Sequence, residues 1–383
     1  MSEKKSNVII YRDSLLPKSE TFIQKQTNFY KSFTPYFLGY KHVKKGLSLP
    51  TDRVYTDNEN VKNGISEVLK KKIGWNSSFD RYIANVSPTL IHAHFGPDGV
   101  LAYPFAKRHK LPLLVTFHGY DVTVKDTFLK QQSFNVRNYV KKREILKEDW
   151  VYPIAASSFI KEKLIEKGFD EEKIITHYIG VDINAYSHIS PLTLEERSHS
   201  ALFVGRLIEN KGAHYFIEAV KLLMQNDLDL TVHIAGDGPE KSRLMELSAP
   251  FEDRFHFHGM IPHDEVLSLM SSSKVLCVPS VEVESGASEG FGIVFIEAGL
   301  MGLPVASFYT GGIPEAVLHG ETGLLTSQKD VINLSENIGT LLTNTDLWNE
   351  MSLAAQKRVR FEFDIEIQTR KLEQLYKDIA NKL

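Results

Sequence analysis

Short apolar runs separated by segments of helical period recur along this chain, and few architectures accept that pattern. In the first half the runs are Val8–Tyr11, Leu90–Ala93, Leu113–Phe117 and Val151–Ala155. In the second they are Ala201–Val204, Leu230–Ile234, Phe255–Phe257, Val275–Val278 and Pro304–Ser307. Between them, Gly212–Met224, Pro239–Leu247 and His263–Ser271 carry apolar residues at helical spacing. Strands alternating with helices predict an α/β chain, with parallel sheets covered on both faces. A length of 383 residues is enough for two such bodies, each with its own core. The polar stretch Tyr186–Ser200 has little period and marks the expected linker. The domains are therefore expected over residues 1–186 and 187–363. A charged amphipathic helix is expected to follow over 364–383, with Ile365, Leu372, Leu375, Tyr376 and Ile379 as its apolar residues.

Composition excludes several classes. The single cysteine, Cys277, lies in an apolar run and reads as a small buried hydrophobe, so neither a disulfide framework nor a cysteine-based metal site can be built. No apolar run approaches the roughly 18–20 residues of a membrane span. The polar start Met1–Asn7 runs straight into Val8–Tyr11, which is too short for a secretory signal, so a cytoplasmic location is expected.

Charge is unevenly spread. Residues 1–190 hold 29 Lys/Arg against 20 Asp/Glu, whereas residues 191–383 hold 16 against 28. The basic residues cluster at Lys41–Lys45, Lys70–Lys72, Lys107–Lys110 and Lys141–Arg143. An anionic membrane surface at which the protein is peripheral, or a lipid phosphate, suits these clusters. Nucleic acid suits them less, because they lack interleaved aromatics or a binding motif, and no nucleic-acid partner is expected.

The segment Glu289-Gly290-Phe291-Gly292-Ile293-Val294-Phe295-Ile296-Glu297-Ala298 carries the strongest chemical signal. Residues Ile293–Met301 read as a largely buried helix, with Glu289 before its first turn and Glu297 just over one turn inside. A glycine loop at a helix N-terminus offers free backbone N–H groups to an anion. Carboxylates on either side of that seat suggest a ligand with central phosphates and hydroxyls at both ends, the shape of a nucleotide sugar. A helix that merely gathers acidic residues at its positive end explains Glu289 but explains Glu297 poorly.

Ligands of open parallel sheets bind beyond the carboxyl ends of the strands. There the chain supplies Gly205-Arg206-Leu207-Ile208-Glu209-Asn210-Lys211-Gly212, whose Arg206 fork and Lys211 point charge suit phosphate. The Gly236-Asp237-Gly238 turn has Lys241 where a dinucleotide fingerprint needs its third glycine, so a tight turn into a proline-started helix is expected instead. In the first half, His92 and His94 end one strand and His118 ends another, ahead of Gly119 and Asp121. No further ligands at metal spacing accompany these histidines. His118 is better placed to orient a ligand, and a structural role for His92 is equally open.

Together these segments resemble the retaining glycosyltransferases of family 4, which have the two-domain GT-B fold. The matching residues are Val204-Gly205-Arg206-Leu207 with Lys211-Gly212, Ala235–Pro239, Glu289–Gly292 through Glu297-Ala298, Gly311-Gly312-Ile313-Pro314-Glu315 and Gly320–Gly323. His118-Gly119 and Gly180-Val181-Asp182 match in the first half. The resemblance implies two Rossmann-like domains facing each other across a cleft, with the last helix packing back on the first. It implies that Arg206 and Lys211 neutralise a donor diphosphate, that Glu297 holds ribose hydroxyls and that Glu289 meets the donor sugar. Gly205 and the backbone of Phe291, Gly292 and Ile293 would support sugar and phosphates, Met260 would lie near the base, and His118 would line the catalytic cleft. Many members carry a glycine pair after the first strand, where this chain has Leu15–Phe22. That form resembles a branch associated with bacterial capsule and exopolysaccharide assembly, and it makes Lys18, Glu20 and Thr21, with His94 and Asp121, acceptor-side candidates.

The expected activity is retaining transfer of a sugar from a UDP- or GDP-sugar to a glycan or polyprenyl-diphosphate-linked acceptor. No cofactor and no metal are expected, because the two cations serve the leaving group. The alternatives are a UDP-sugar epimerase of the same fold and a non-catalytic partner that kept it.

Overall fold

The computed structural model describes residues 5–17, 20–43, 46–57, 64–186 and 188–382. The chain divides into two compact units, Met1–Gly180 with Ile365–Leu383, and Val181–Asp364.

Seven strands form the sheet of the first unit: β1 (Ser6–Tyr11), β2 (Phe33–Gly39), β3 (Val54–Thr56), β4 (Leu90–His94), β5 (Leu113–Phe117), β6 (Val151–Ala155) and β7 (Ile175–Thr176). Their order is β3-β2-β1-β4-β5-β6-β7, parallel throughout. The strands β4 and β5 are buried at every position, which is why they read as continuous apolar runs rather than alternating ones. The order reverses between β1 and β4, so the loops after these two strands flank a topological switch point.

The apolar-run pattern contains no strand between Tyr11 and Leu90, yet β2 lies there. Pro35 argues against a strand interior; it nonetheless pairs in register with Val8. The last helix, Ile365–Ala380, belongs to this unit. Its Leu372, Tyr376 and Ile379 share a buried cluster with Val8, Ile10, Phe33 and Phe37. Its Glu373 accepts the backbone N–H groups of Ser32 and Phe33 at 2.8 and 2.9 Å.

The second unit repeats the plan with β8 (Ser200–Val204), β9 (Thr231–Ala235), β10 (Phe255–Gly259), β11 (Val275–Cys277), β12 (Val305–Phe308) and β13 (Gly323–Thr326). The order β10-β9-β8-β11-β12-β13 is again parallel and reverses between β8 and β11. The passage between units falls after Gly180 rather than after Tyr186, and the stretch expected as a linker is anchored. Arg197, only 4 % exposed, donates to the carbonyls of Leu192, Met270, Ser273 and Met301 at 2.6–3.1 Å. A guanidinium that satisfies buried carbonyls looks in sequence like any polar loop residue.

Candidate active site

In the second unit, close backbone approach shapes the loops beyond the strand ends. Gly236 has φ +145°, and a Cβ there would collide with the carbonyl of Gly205. The Gly236–Gly238 turn therefore packs as a wall behind the Gly205 loop, and its helix starts at Lys241, two residues after Pro239. Gly212, at φ +69°, caps the Ala213–Gln225 helix where a Cβ would strike the carbonyl of Pro279. Between these fixed points Arg206 stands exposed. The Lys211 ammonium is ion-paired with a carboxylate oxygen of Glu289, the two side chains being 19 % and 12 % exposed.

Glu289 is fixed from behind. Gly312 donates its N–H to the Glu289 carbonyl at 2.9 Å, and a Cβ on Gly311 would overlap that oxygen. Gly292, at φ +87°, caps the Ile293–Leu300 helix. Of the first-turn N–H groups, that of Phe295 donates to the Gly292 carbonyl at 3.1 Å, and those of Ile293 and Val294 have no partner within the helix. Phe291 packs its ring against Phe363 at 5.4 Å between centroids, so only its backbone serves the loop. Glu297 lies one turn inside, with Oε1 3.3 Å from Nε2 of His263, whose ring meets Tyr186 at 5.2 Å. Met260 is 80 % exposed at the turn after β10. The arrangement offers two cations and a helix N-terminus to a polyanion, and two carboxylates to hydroxyl groups.

The corresponding end of the first unit is closed by its own polar groups. Arg12 grips Glu20 with two nitrogens, at 2.9 and 2.5 Å, pairs with Asp98 and donates to the His94 carbonyl at 3.1 Å. Asp13 is held by Lys71 at 2.5 Å and by Asn135 at 2.7 Å. Asp121, fully buried, accepts the N–H groups of Gly96 and Gly119 at 2.8 and 3.1 Å, joining the loops after β4 and β5. Burial raises its pKa.

His92 is satisfied at both nitrogens, by the hydroxyls of Tyr376 at 2.5 Å and Thr116 at 2.7 Å, and burial lowers its pKa to about 3. It is a structural histidine. His94 and His118 meet at 3.1 Å through Nδ1 and Nε2, and burial lowers the His118 pKa to about 3 as well. Among the described residues, Nδ1 of His118 is buried and has no hydrogen-bond partner. Thr21 is exposed at the start of the Thr21–Asn28 helix, and Lys18 lies outside the described residues.

The structure thus brings Lys211 to Glu289, His94 to His118, and Glu20 to a cation that sequence reasoning passes over. Arg12, directly after β1, and His263, the first residue of its helix, are the omissions. Position at a strand or helix end is the signal for both.

Residues 188–358 match the family model described as Glycosyl transferases group 1, and residues 52–185 match the one described as Glycosyltransferase Family 4. The putative colanic acid biosynthesis glycosyltransferase WcaL of Escherichia coli K12 is 29 % identical over 293 residues, 74 % of this chain and 69 % of that protein. The amylovoran biosynthesis glycosyltransferase AmsK of Erwinia amylovora is 28 % identical over 294 residues, 75 % of this chain and 69 % of that protein. The solved structure of Anabaena Alr3699/HepE in complex with UDP and glucose superposes with a TM-score of 0.75 at 21 % identity, covering 97 % of this chain and all of that one.

Proposed function

Because the chain belongs to the glycosyltransferases, joining a family 4 domain to a group 1 domain, we propose that it transfers a sugar with retention from a UDP- or GDP-sugar to a lipid-linked glycan in bacterial surface polysaccharide synthesis. The pathway part of this reading is supported by relatives named for colanic acid and amylovoran biosynthesis. The chemical part rests on one observation. Lys211 is held against Glu289 beside the exposed Arg206, next to a helix N-terminus and at the switch point of the second sheet.

In this reading Arg206 and Lys211 neutralise the diphosphate as it departs, and no metal takes part. The Lys211 ammonium has three protons, so it can keep Glu289 and still donate to phosphate. Glu289, tied to a cation, accepts sugar hydroxyls and is not a covalent nucleophile. Glu297 accepts ribose hydroxyls, with His263 behind it. The bond from the anomeric carbon to the β-phosphate oxygen breaks, the acceptor oxygen attacks on the same face, and its proton passes to the departing phosphate. His118 contacts the transferred sugar, with Glu20, Thr21, His94 and Asp121 on the acceptor side. The protein works in the cytoplasm and is peripheral, with exposed basic side chains of its first unit facing anionic lipid.

Incubation with a panel of UDP- and GDP-sugars, with and without a polyprenyl-diphosphate glycan, tests this. The expected outcome is an acceptor product that keeps the anomeric configuration of the donor, read by proton NMR. A new nucleotide sugar formed without acceptor would identify an epimerase instead, and an inverted product would refute retention.

A further inference from the structure

The Gly64–Ile73 helix is turned inside out. Its charged side faces inward: Lys71, 6 % exposed, contacts Asp13 at 2.5 Å and Glu67 at 2.6 Å, and Lys70 reaches the buried Asp57 at 2.7 Å. Its apolar side faces outward, with Val68 43 %, Leu69 50 % and Ile73 72 % exposed, and Trp75 in the following turn 57 % exposed. At about 100° per residue, Val68, Leu69, Lys72 and Ile73 fall on one face. Ordinary surface helices arrange their residues the other way.

This face is rigidly mounted and basic. Gly74, at φ +71°, abuts Pro104, and Arg108 donates to the Gly74 carbonyl at 2.7 Å, which clamps the turn carrying Trp75 to the Gly96–His109 helix. Lys72 lies within the face, and Lys142 donates to its carbonyl at 3.5 Å. Among the described residues, neither Lys72 nor Lys142 enters an ion pair. A two-fold contact with a second copy of the chain would set these cations against themselves. Anionic lipid complements them, while aliphatic side chains suit the acyl boundary and an indole suits the headgroup level.

We propose that Val68, Leu69, Ile73 and Trp75 insert shallowly into an anionic leaflet, with Lys72 and Lys142 meeting lipid phosphates. This deepens the peripheral attachment proposed above and rests on it for the sign of the lipid. It changes the mode, because attachment by charge alone would leave no side chain below the headgroups.

Vesicles of phosphatidylcholine and phosphatidylglycerol with brominated acyl chains test it on the full chain. Of the three tryptophans, Trp348 is buried and Trp150 is half-buried, so quenching should come from Trp75 and vanish in Trp75→Phe. Leu69→Ser with Ile73→Ser should weaken vesicle flotation about tenfold with an unchanged melting curve, and part of the wild-type binding should survive 0.5 M salt. Retained binding without quenching, and unaffected by the serine pair, would overturn insertion and leave attachment by charge standing. Absence of binding to anionic vesicles would overturn both. Association of the protein in solution that the serine pair abolishes would assign the face to a second copy.

Discussion

The strand ends of the two units carry the same kinds of side chain but handle them differently. In the first, Arg12 pairs with Glu20 and Asp98, Asp13 with Lys71, and Asp121 with backbone N–H groups, within a largely buried cluster. In the second, glycines bring backbones together and leave Arg206 exposed, with Lys211 and Glu289 paired at a partly open surface. The contrast separates groups that stabilise a fold from groups available to a ligand. A closed cluster should answer mutation with lost stability, and an open pair with lost activity.

The largest expected effect is Arg12→Ala. It strands the carboxylates of Glu20 and Asp98, and removing one partner of a buried ion pair costs about 3–5 kcal/mol. A shift below 1 kcal/mol in urea unfolding would dissolve the distinction. Next, Arg206→Ala and Lys211→Ala should each lower the transfer rate on the order of 10²–10³-fold while the melting temperature stays near wild type, as expected when a preorganised donor is taken from developing negative charge. Loss of folding instead would place Lys211 and Glu289 with the first unit's structural pairs.

A smaller effect follows from pH. The folded-state pKa of His92 is depressed to about 3 by burial, whereas the unfolded chain takes up that proton near 6.5. Its contribution to stability is full above pH 6.5 and lost as pH falls toward 3, at about 1.4 kcal/mol per pH unit. Burial depresses His118 in the same direction. Amide protection factors in β4 and β5, with the intrinsic exchange rate at each pH divided out, should therefore fall between pH 7 and pH 5 more than in β8 and β11. An equal fall in both sheets would remove this difference. The smallest effect is none at all: activity should survive EDTA, and its restoration only by Mn²⁺ or Mg²⁺ would assign the phosphates to a metal.

Much of this was legible in the sequence, because buried parallel strands are apolar at every position and glycines mark the turns at their ends. The loops around Arg206, Lys211 and Glu289 could be read because their chemistry is local to short motifs. Arg12 was not legible, since its carboxylate partners at Glu20 and Asp98 come from different loops and only the fold brings them together. The inverted Gly64–Ile73 helix escaped for the same reason. Lys70, Lys71 and Lys72 read as one basic cluster, but tertiary contacts turn two of them inward and leave Leu69 and Ile73 outside.

Hydrogen exchange of the full chain, with and without saturating donor sugar nucleotide, tests the central claim most directly. The account predicts protection over residues 205–212 and 289–297 with any UDP- or GDP-sugar that supports transfer, and loss of that protection in Lys211→Ala. Protection confined to the Arg12–Asp98 cluster of the first unit, or unchanged exchange at both strand ends, would contradict it.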